Sequence, residues 1–128
     1  HRVVFGSIER FIGILIEQFA GAFPTWLAPV QVRVMNITDA QKDYVAAIAK
    51  TLKSKKIRVE IDDRNEKIGY KIREAQLQKI PYMIIVGDKE MNENKISLRT
   101  RKGGDLGAMS LDEFISKITE EIENRVIE

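Results

Sequence analysis

Asn65, Glu66, Glu90 and Arg99, with the cations Arg64, Lys67, Lys71 and Arg101, are polar side chains of this sequence whose types suit recognition chemistry. An arginine can donate two parallel hydrogen bonds to the acceptor edge of a purine. An asparagine offers a donor and an acceptor together, and a glutamate accepts from amino or imino groups. Lysines and arginines beside them would contact phosphates, which adds affinity without base information. Amide, carboxylate and guanidinium groups next to such cations are what reading base edges in single-stranded RNA requires. The same residues could instead form a solvated loop end with ordinary ion pairs, and spacing alone leaves both readings open.

For these residues to meet, the elements around them must place them at one end of a sheet. The stretch Arg64 to Glu74 lies between two apolar runs, Ile57 to Ile61 and Tyr82 to Val86, and carries four cations against two carboxylates. It reads as a loop followed by a helix from Ile68 to about Gln78, between two buried strands. Upstream, Val30 to Met35 alternates as a first strand. A turn at Asn36 to Asp39 leads to a helix with Tyr44, Val45, Ile48, Ala49 and Leu52 on its inward stripe. Two strand–helix–strand units in succession imply parallel pairing and right-handed crossovers. The almost wholly apolar Tyr82 to Val86 run is expected at the centre of the sheet.

Gly87 to Asn94 is a polar connection too short for a crossover helix, so Ile96 to Arg101 should pair antiparallel with the strand before it. Gly103-Gly104 turns the chain, Asp105 to Met109 adds a short edge strand, and Ser110 caps a last helix with Leu111, Phe114, Ile115, Ile118 and Ile122 as its buried stripe. The expected fold is α/β, three-layered, with a mixed and mostly parallel sheet of about five strands flanked by three helices. In that arrangement Asn36 to Asp39, Asp62 to Lys67 and Gly87 to Glu90 share the carboxyl ends of the parallel strands, where such sheets bind ligands. Arg99 and Arg101 are expected to face the same cleft from the antiparallel strand.

The first 29 residues read differently. Val3-Val4-Phe5 looks like a strand, and Ser7 caps a helix reaching about Phe19 whose apolar residues cover most of its circumference. Such an orphan strand and helix implies a neighbour outside this sequence. Gly21 to Pro29, with two prolines and the single Trp, reads as a linker. The expected division is therefore residues 1–29 as a remnant of another domain and residues 30–128 as a second domain.

Composition narrows the classes. A formal charge of +2 over 128 residues rules out a protein that coats nucleic acid by charge alone. The charge is unevenly spread, with a basic stretch from Lys89 to Lys102 and an acidic one from Leu111 to Glu128. The absence of Cys removes disulfide and thiolate chemistry and agrees with a reducing cytoplasm. No apolar run approaches the roughly 20 residues of a membrane span. Glu9, Arg10 and Glu17 interrupt the first apolar region, unlike a signal peptide. A small-molecule α/β domain is disfavoured, since no Gly-rich phosphate loop occurs.

The whole chain resembles the C-terminal part of the bacterial-type threonyl-tRNA synthetases. His1-Arg2 followed by Gly6 to Gly13 looks like motif 3 of a class II synthetase catalytic domain, and Phe23 to Gln31 looks like the junction into the anticodon-binding domain. Arg64 to Gly69, Ile80-Pro81-Tyr82, Gly87 to Glu90 and Arg99 to Arg101 look like signatures of that domain. Glycyl-, prolyl- and histidyl-tRNA synthetases share the domain type.

The resemblance implies several roles. His1 aligns with a ligand of the catalytic zinc, as a neutral imidazole can be. Its partner ligands are not in this sequence. Arg10 aligns with the motif 3 arginine that contacts ATP, where a guanidinium would stabilise charge as the adenylate forms, and Ser7 with a contact in the threonine pocket. The family's anticodon contacts fall on Asn65, Glu90 and Arg99. Arg64, Lys67, Lys71 and Arg101 are added as neighbours of the tRNA backbone. The implied full enzyme is a cytoplasmic homodimer that uses ATP, Mg and zinc to make threonyl-adenylate and charge tRNA(Thr), with no DNA or membrane partner. This part would bind the anticodon stem-loop, need no cofactor and catalyse nothing by itself. A different reading is a non-catalytic accessory or regulatory protein reusing the anticodon-binding fold.

Overall fold

The computed structural model describes residues 23–101 and 104–124. The expected strand at Val3 to Phe5, the helix from Ser7 to Phe19, and the residues His1, Ser7 and Arg10 lie outside them.

Five strands form one sheet: β1 (Val32–Asn36), β2 (Val59–Asp62), β3 (Tyr82–Val86), β4 (Ile96–Thr100) and β5 (Asp105–Met109). Their spatial order is β2-β1-β3-β4-β5. β1 pairs in parallel with β2 and β3, while β3–β4 and β4–β5 are antiparallel. β3 is thus the middle strand, and all five of its residues are buried, as its unbroken apolar run requires.

Alternation along the strands creates two cores. Val32, Val34, Tyr82, Ile84, Val86, Ile96 and Leu98 point to one face. There they meet Val45, Ile48 and Leu52 of α1 (Lys42–Ser54) and Phe114 and Ile118 of α4 (Leu111–Glu123). The Tyr82 and Phe114 rings meet edge-on with centroids 5.5 Å apart, a favoured geometry for their quadrupoles. Met35, Met83 and Ile85 point to the other face and pack on Ala75, Ile68 and Ile72 of α2 (Ile68–Leu77). The chain crosses from β1 to β2 through α1 on one face, then from β2 to β3 through α2 on the other. Loops leaving β1 and β2 therefore part to opposite faces at the carboxyl ends of these neighbouring strands, the kind of place where open α/β sheets form a crevice.

A further short helix, α3 (Asp88–Glu93), occupies the polar connection that the sequence marked as too short for a crossover helix. Only Met91 in it is apolar, so it carries no periodic signal. Asn94 ends it in the left-handed conformation at φ 55°, and β4 begins two residues later. Ser110 caps α4 as expected, accepting from the Glu113 amide at 3.2 Å.

The segment before β1 is held against the sheet by polar groups. The Gln31 side chain donates to the Thr25 carbonyl at 2.9 Å and accepts from the Arg58 amide at 2.9 Å. Arg58 also donates to the carbonyls of Ala28 and Trp26. Both carboxylate oxygens of Glu121 on α4 accept, one from the Thr25 hydroxyl and one from the Tyr82 hydroxyl.

Candidate functional site

The floor of the site is built by Lys71, Asn36 and Asp62, in a buried network rather than as free polar groups. Lys71 is 1 % exposed, and its ammonium donates to the Asn36 carbonyl and side-chain oxygen, both at 3.1 Å, and to the Asp62 carbonyl at 3.3 Å. One buried cation thereby ties the carboxyl ends of β1 and β2. Burial lowers the Lys71 pKa, opposed by the nearby Asp62 charge. The expectation that Lys71 contacts a phosphate is corrected: an ammonium enclosed by three carbonyl-type oxygens has no free approach. Its position three residues after Ile68 and four before Ala75 puts it on the inward stripe of α2, a signal the sequence carried.

Asn36 extends this network, since its amide group also donates to the Thr38 carbonyl at 2.7 Å. The Gln41 side chain accepts from the Thr38 amide and donates to the Asp88 carboxylate, linking the loop after β1 to α3. The Ile37 amide donates to the Val86 carbonyl at 3.1 Å, which fixes the same loop against the end of β3.

Asp62 is buried and receives Arg64 through two parallel hydrogen bonds of 2.9 Å. That guanidinium holds the Asp62 carboxyl below its usual range. Arg64 reaches Glu74 at 3.1 Å as well, and lies 5.8 Å from the centre of the half-exposed Tyr70 ring. Its charge is largely matched locally, and the two carboxylates raise its pKa. It remains at the surface, but as a clamped group rather than a free phosphate neighbour.

Asn65 and Lys67 are exposed in the loop that follows, and neither side chain has a partner among the described residues. Glu90 lies half-buried on α3. Its Oε1 accepts from the Gly87 amide at 3.2 Å, which fixes the carboxylate, and its Oε2 accepts from no described residue. These groups share the end of the sheet where the sequence placed them.

Arg99 and Arg101 do not lie at that end. Arg99 sits opposite Met83 and Ser97 opposite Ile85, so Arg99 is two residues, or about 7 Å, back along β3. It is on the α2 face of the sheet. A bulge opposite β5 brings Asp105 beside it at 3.7 Å, a loose pair with the arginine still 36 % exposed. The Arg101 amide donates to the Pro81 carbonyl and its guanidinium to the Lys79 carbonyl, both at the amino end of β3. The expectation of a single cleft is therefore revised. Asn65, Lys67 and Glu90 mark the loop end, Arg99 continues onto the sheet face, and Arg101 lies beyond it.

Antiparallel pairing runs β4 back along β3, so its odd-numbered residues carry the polar path away from the loops. α2 packs on β1, and Ser97 and Arg99 on β4 stay partly accessible. The arrangement offers an oriented acceptor, an amide and a guanidinium spread across one surface, with free hydrogen-bonding capacity. It suits an extended ligand with several polar edges.

Known proteins resemble this chain in sequence and fold. The family profile described as anticodon binding domain matches residues 31–121. The threonine–tRNA ligase of Clostridium tetani is 74% identical over 128 residues, 100% of this chain and 20% of that relative. The ligase of Clostridium kluyveri is 73% identical over 126 residues, again 20% of its length. The chain thus spans about a fifth of the curated relatives it matches. Among solved structures, the RNA binding domain of threonyl-tRNA synthetase from Cryptosporidium parvum superposes with a TM-score of 0.83 at 30% identity, covering 88% of this chain and 28% of that one. Prolyl-tRNA synthetase from the same organism gives a TM-score of 0.71 at 26% identity over 80% of this chain and 22% of its own. The match of the profile across β1 to α4 carries the assignment: the chain belongs to the anticodon-binding-domain family.

Proposed function

We propose that this chain is the C-terminal part of a threonine–tRNA ligase and that it recognises the anticodon of tRNA(Thr). The 74% identity along all 128 residues to a threonine–tRNA ligase carries the reading. Asn65 and Glu90 at the loop end and Arg99 on the sheet face are the base-reading groups. Lys67 is the phosphate neighbour best placed at that end, and Arg101 lies further along the face. The whole enzyme, a cytoplasmic homodimer in this proposal, joins threonine to ATP as an adenylate and passes it to the tRNA. Arg10 and Ser7 would serve ATP and threonine there. Zinc and Mg belong to that enzyme too, with His1 as one zinc ligand. Among the described residues there is no group of three or more His, Cys, Asp or Glu side chains that could hold a metal.

The geometry explains how such a surface separates affinity from specificity. Glu90 is already oriented by the Gly87 amide, so accepting from a base costs little side-chain ordering. Arg99 exchanges a loose, partly solvated pair with Asp105 for a base edge. The test is a set of titrations with cognate and base-swapped anticodon stem-loops. Arg99→Ala or Asn65→Ala is expected to weaken the cognate loop by about 1–3 kcal/mol, the scale of a base contact, and to change the swapped loop little. Equal losses on both RNAs would remove that residue from the base-reading set. Failure of the unaltered chain to prefer the cognate loop would sink the proposal.

A further inference from the structure

Ile37 is 46 % exposed just past the carboxyl end of β1, beside the end of β3, and no described residue covers it. Its position is nevertheless well fixed. The Ile37 amide is bonded to Val86, and Asn36 and Thr38 on either side of it belong to the Lys71 and Gln41 networks. The side chain lies over Gly87: a Cβ at that glycine would meet Ile37 Cδ1 at 2.8 Å and Glu90 Oε1 at 3.7 Å. Gly87 has an ordinary extended backbone, φ −117°, so conformation does not demand glycine there. The close approach of Ile37 instead sets what an added Cβ would displace, the flexible end of that side chain. An exposed apolar side chain and an oriented carboxylate thus flank one glycine, within the width of a single nucleobase.

We infer that Ile37 is an apolar shelf on which one unstacked base of the RNA lies flat while Glu90 accepts a hydrogen bond from that base's edge. This rests on the RNA-binding reading above and adds a residue and a mode of contact to it. A base leaving its stack loses apolar contact on both faces, and proteins that bind single strands replace it with side-chain surfaces. Ile37 offers such a surface beside the free Glu90 Oε2. A base lying there meets Glu90 with its edge and Ile37 with its face, so one contact selects donors and the other is indifferent to base identity.

The experiment uses the full chain and anticodon stem-loops that are intact or abasic at one anticodon position at a time. Ile37→Ala is expected to weaken the intact loop about fivefold, the low end for loss of a stacking surface. It should leave one abasic loop unaffected, the one lacking the base on the shelf. Ile37→Val should restore most of the affinity. Gly87→Ala, which pushes the end of Ile37 aside, should mimic Ile37→Ala. If the unaltered chain binds the cognate loop selectively but Ile37→Ala costs nothing, or costs the same on every abasic loop, the shelf is refuted and the anticodon reading survives. If the unaltered chain shows no selectivity, both fall.

Discussion

Lys71 shows how differently one residue type can act from its usual role. Lysine is seldom fully buried without partners, and here three oxygens surround it. Removing the ammonium leaves two carbonyls and the Asn36 side chain short of a donor. Lys71→Ala is expected to destabilise the fold by roughly 2–3 kcal/mol in urea titrations, the scale of losing a charged buried hydrogen-bond centre. The salt dependence of RNA binding should stay as it was. Lys67→Ala should do the reverse, lowering affinity for cognate and swapped loops alike at unchanged stability. Asp62 adds a pH dependence. Its folded pKa lies below the ordinary value, so unfolded chains bind more protons between the two. Its stabilising effect is present above about pH 4, the ordinary carboxyl range, and is lost as pH falls through the folded value. Urea midpoints measured from pH 6 downward should fall more steeply in the unaltered chain than in Asp62→Asn.

At the scale of elements, the segment entering β1 behaves as part of the sheet. The sequence suggested a boundary after Pro29, on the strength of the prolines and the Trp. Yet Thr25, Gln31, Arg58, Tyr82 and Glu121 form hydrogen bonds that join this segment to β2, β3 and α4. A chain begun at Phe23 keeps all of these, and one begun at Val30 loses the carbonyls of Thr25, Trp26 and Ala28. The chain begun at Phe23 is expected to melt several degrees above the one begun at Val30 by calorimetry. Equal melting temperatures would mean that these bonds add nothing to stability.

Across the whole molecule, the strands and long helices were legible because burial wrote itself into period. β3 stood out as unbroken apolar residues, and the α1 stripe of Val45, Ile48, Ala49 and Leu52 is buried as read. The antiparallel turn of β4 followed from a connection too short to cross the sheet. The polar interior was the part that escaped. Lys71, Arg33 and Asp62 are charged residues on inward-facing positions, and a hydrophobicity pattern discounts them. Arg33, 3 % exposed, is held by Glu60 at 2.8 Å and by Gln78 across to α2. Such pairs come from distant parts of the chain and leave no local trace. For the candidate site, Asn65 and Glu90 were placed at the carboxyl ends of the parallel strands by topology alone. Arg99 and Arg101 were not, because strand register decides how far along the sheet a residue falls, and turn length does not fix register.

The enclosed Lys71 also makes the molecule its own reporter. Acylating reagents need an amine they can reach, and the desolvation that lowers the Lys71 pKa ends once the amine meets solvent. Burial forbids that meeting. Its labelling rate, followed by mass spectrometry, should therefore measure how often the ends of β1 and β2 separate, while exposed lysines such as Lys67 react at once. Anticodon loops that settle on this end should slow Lys71 further. A Lys71 that labels as quickly as Lys67 would mean the strand ends are open most of the time.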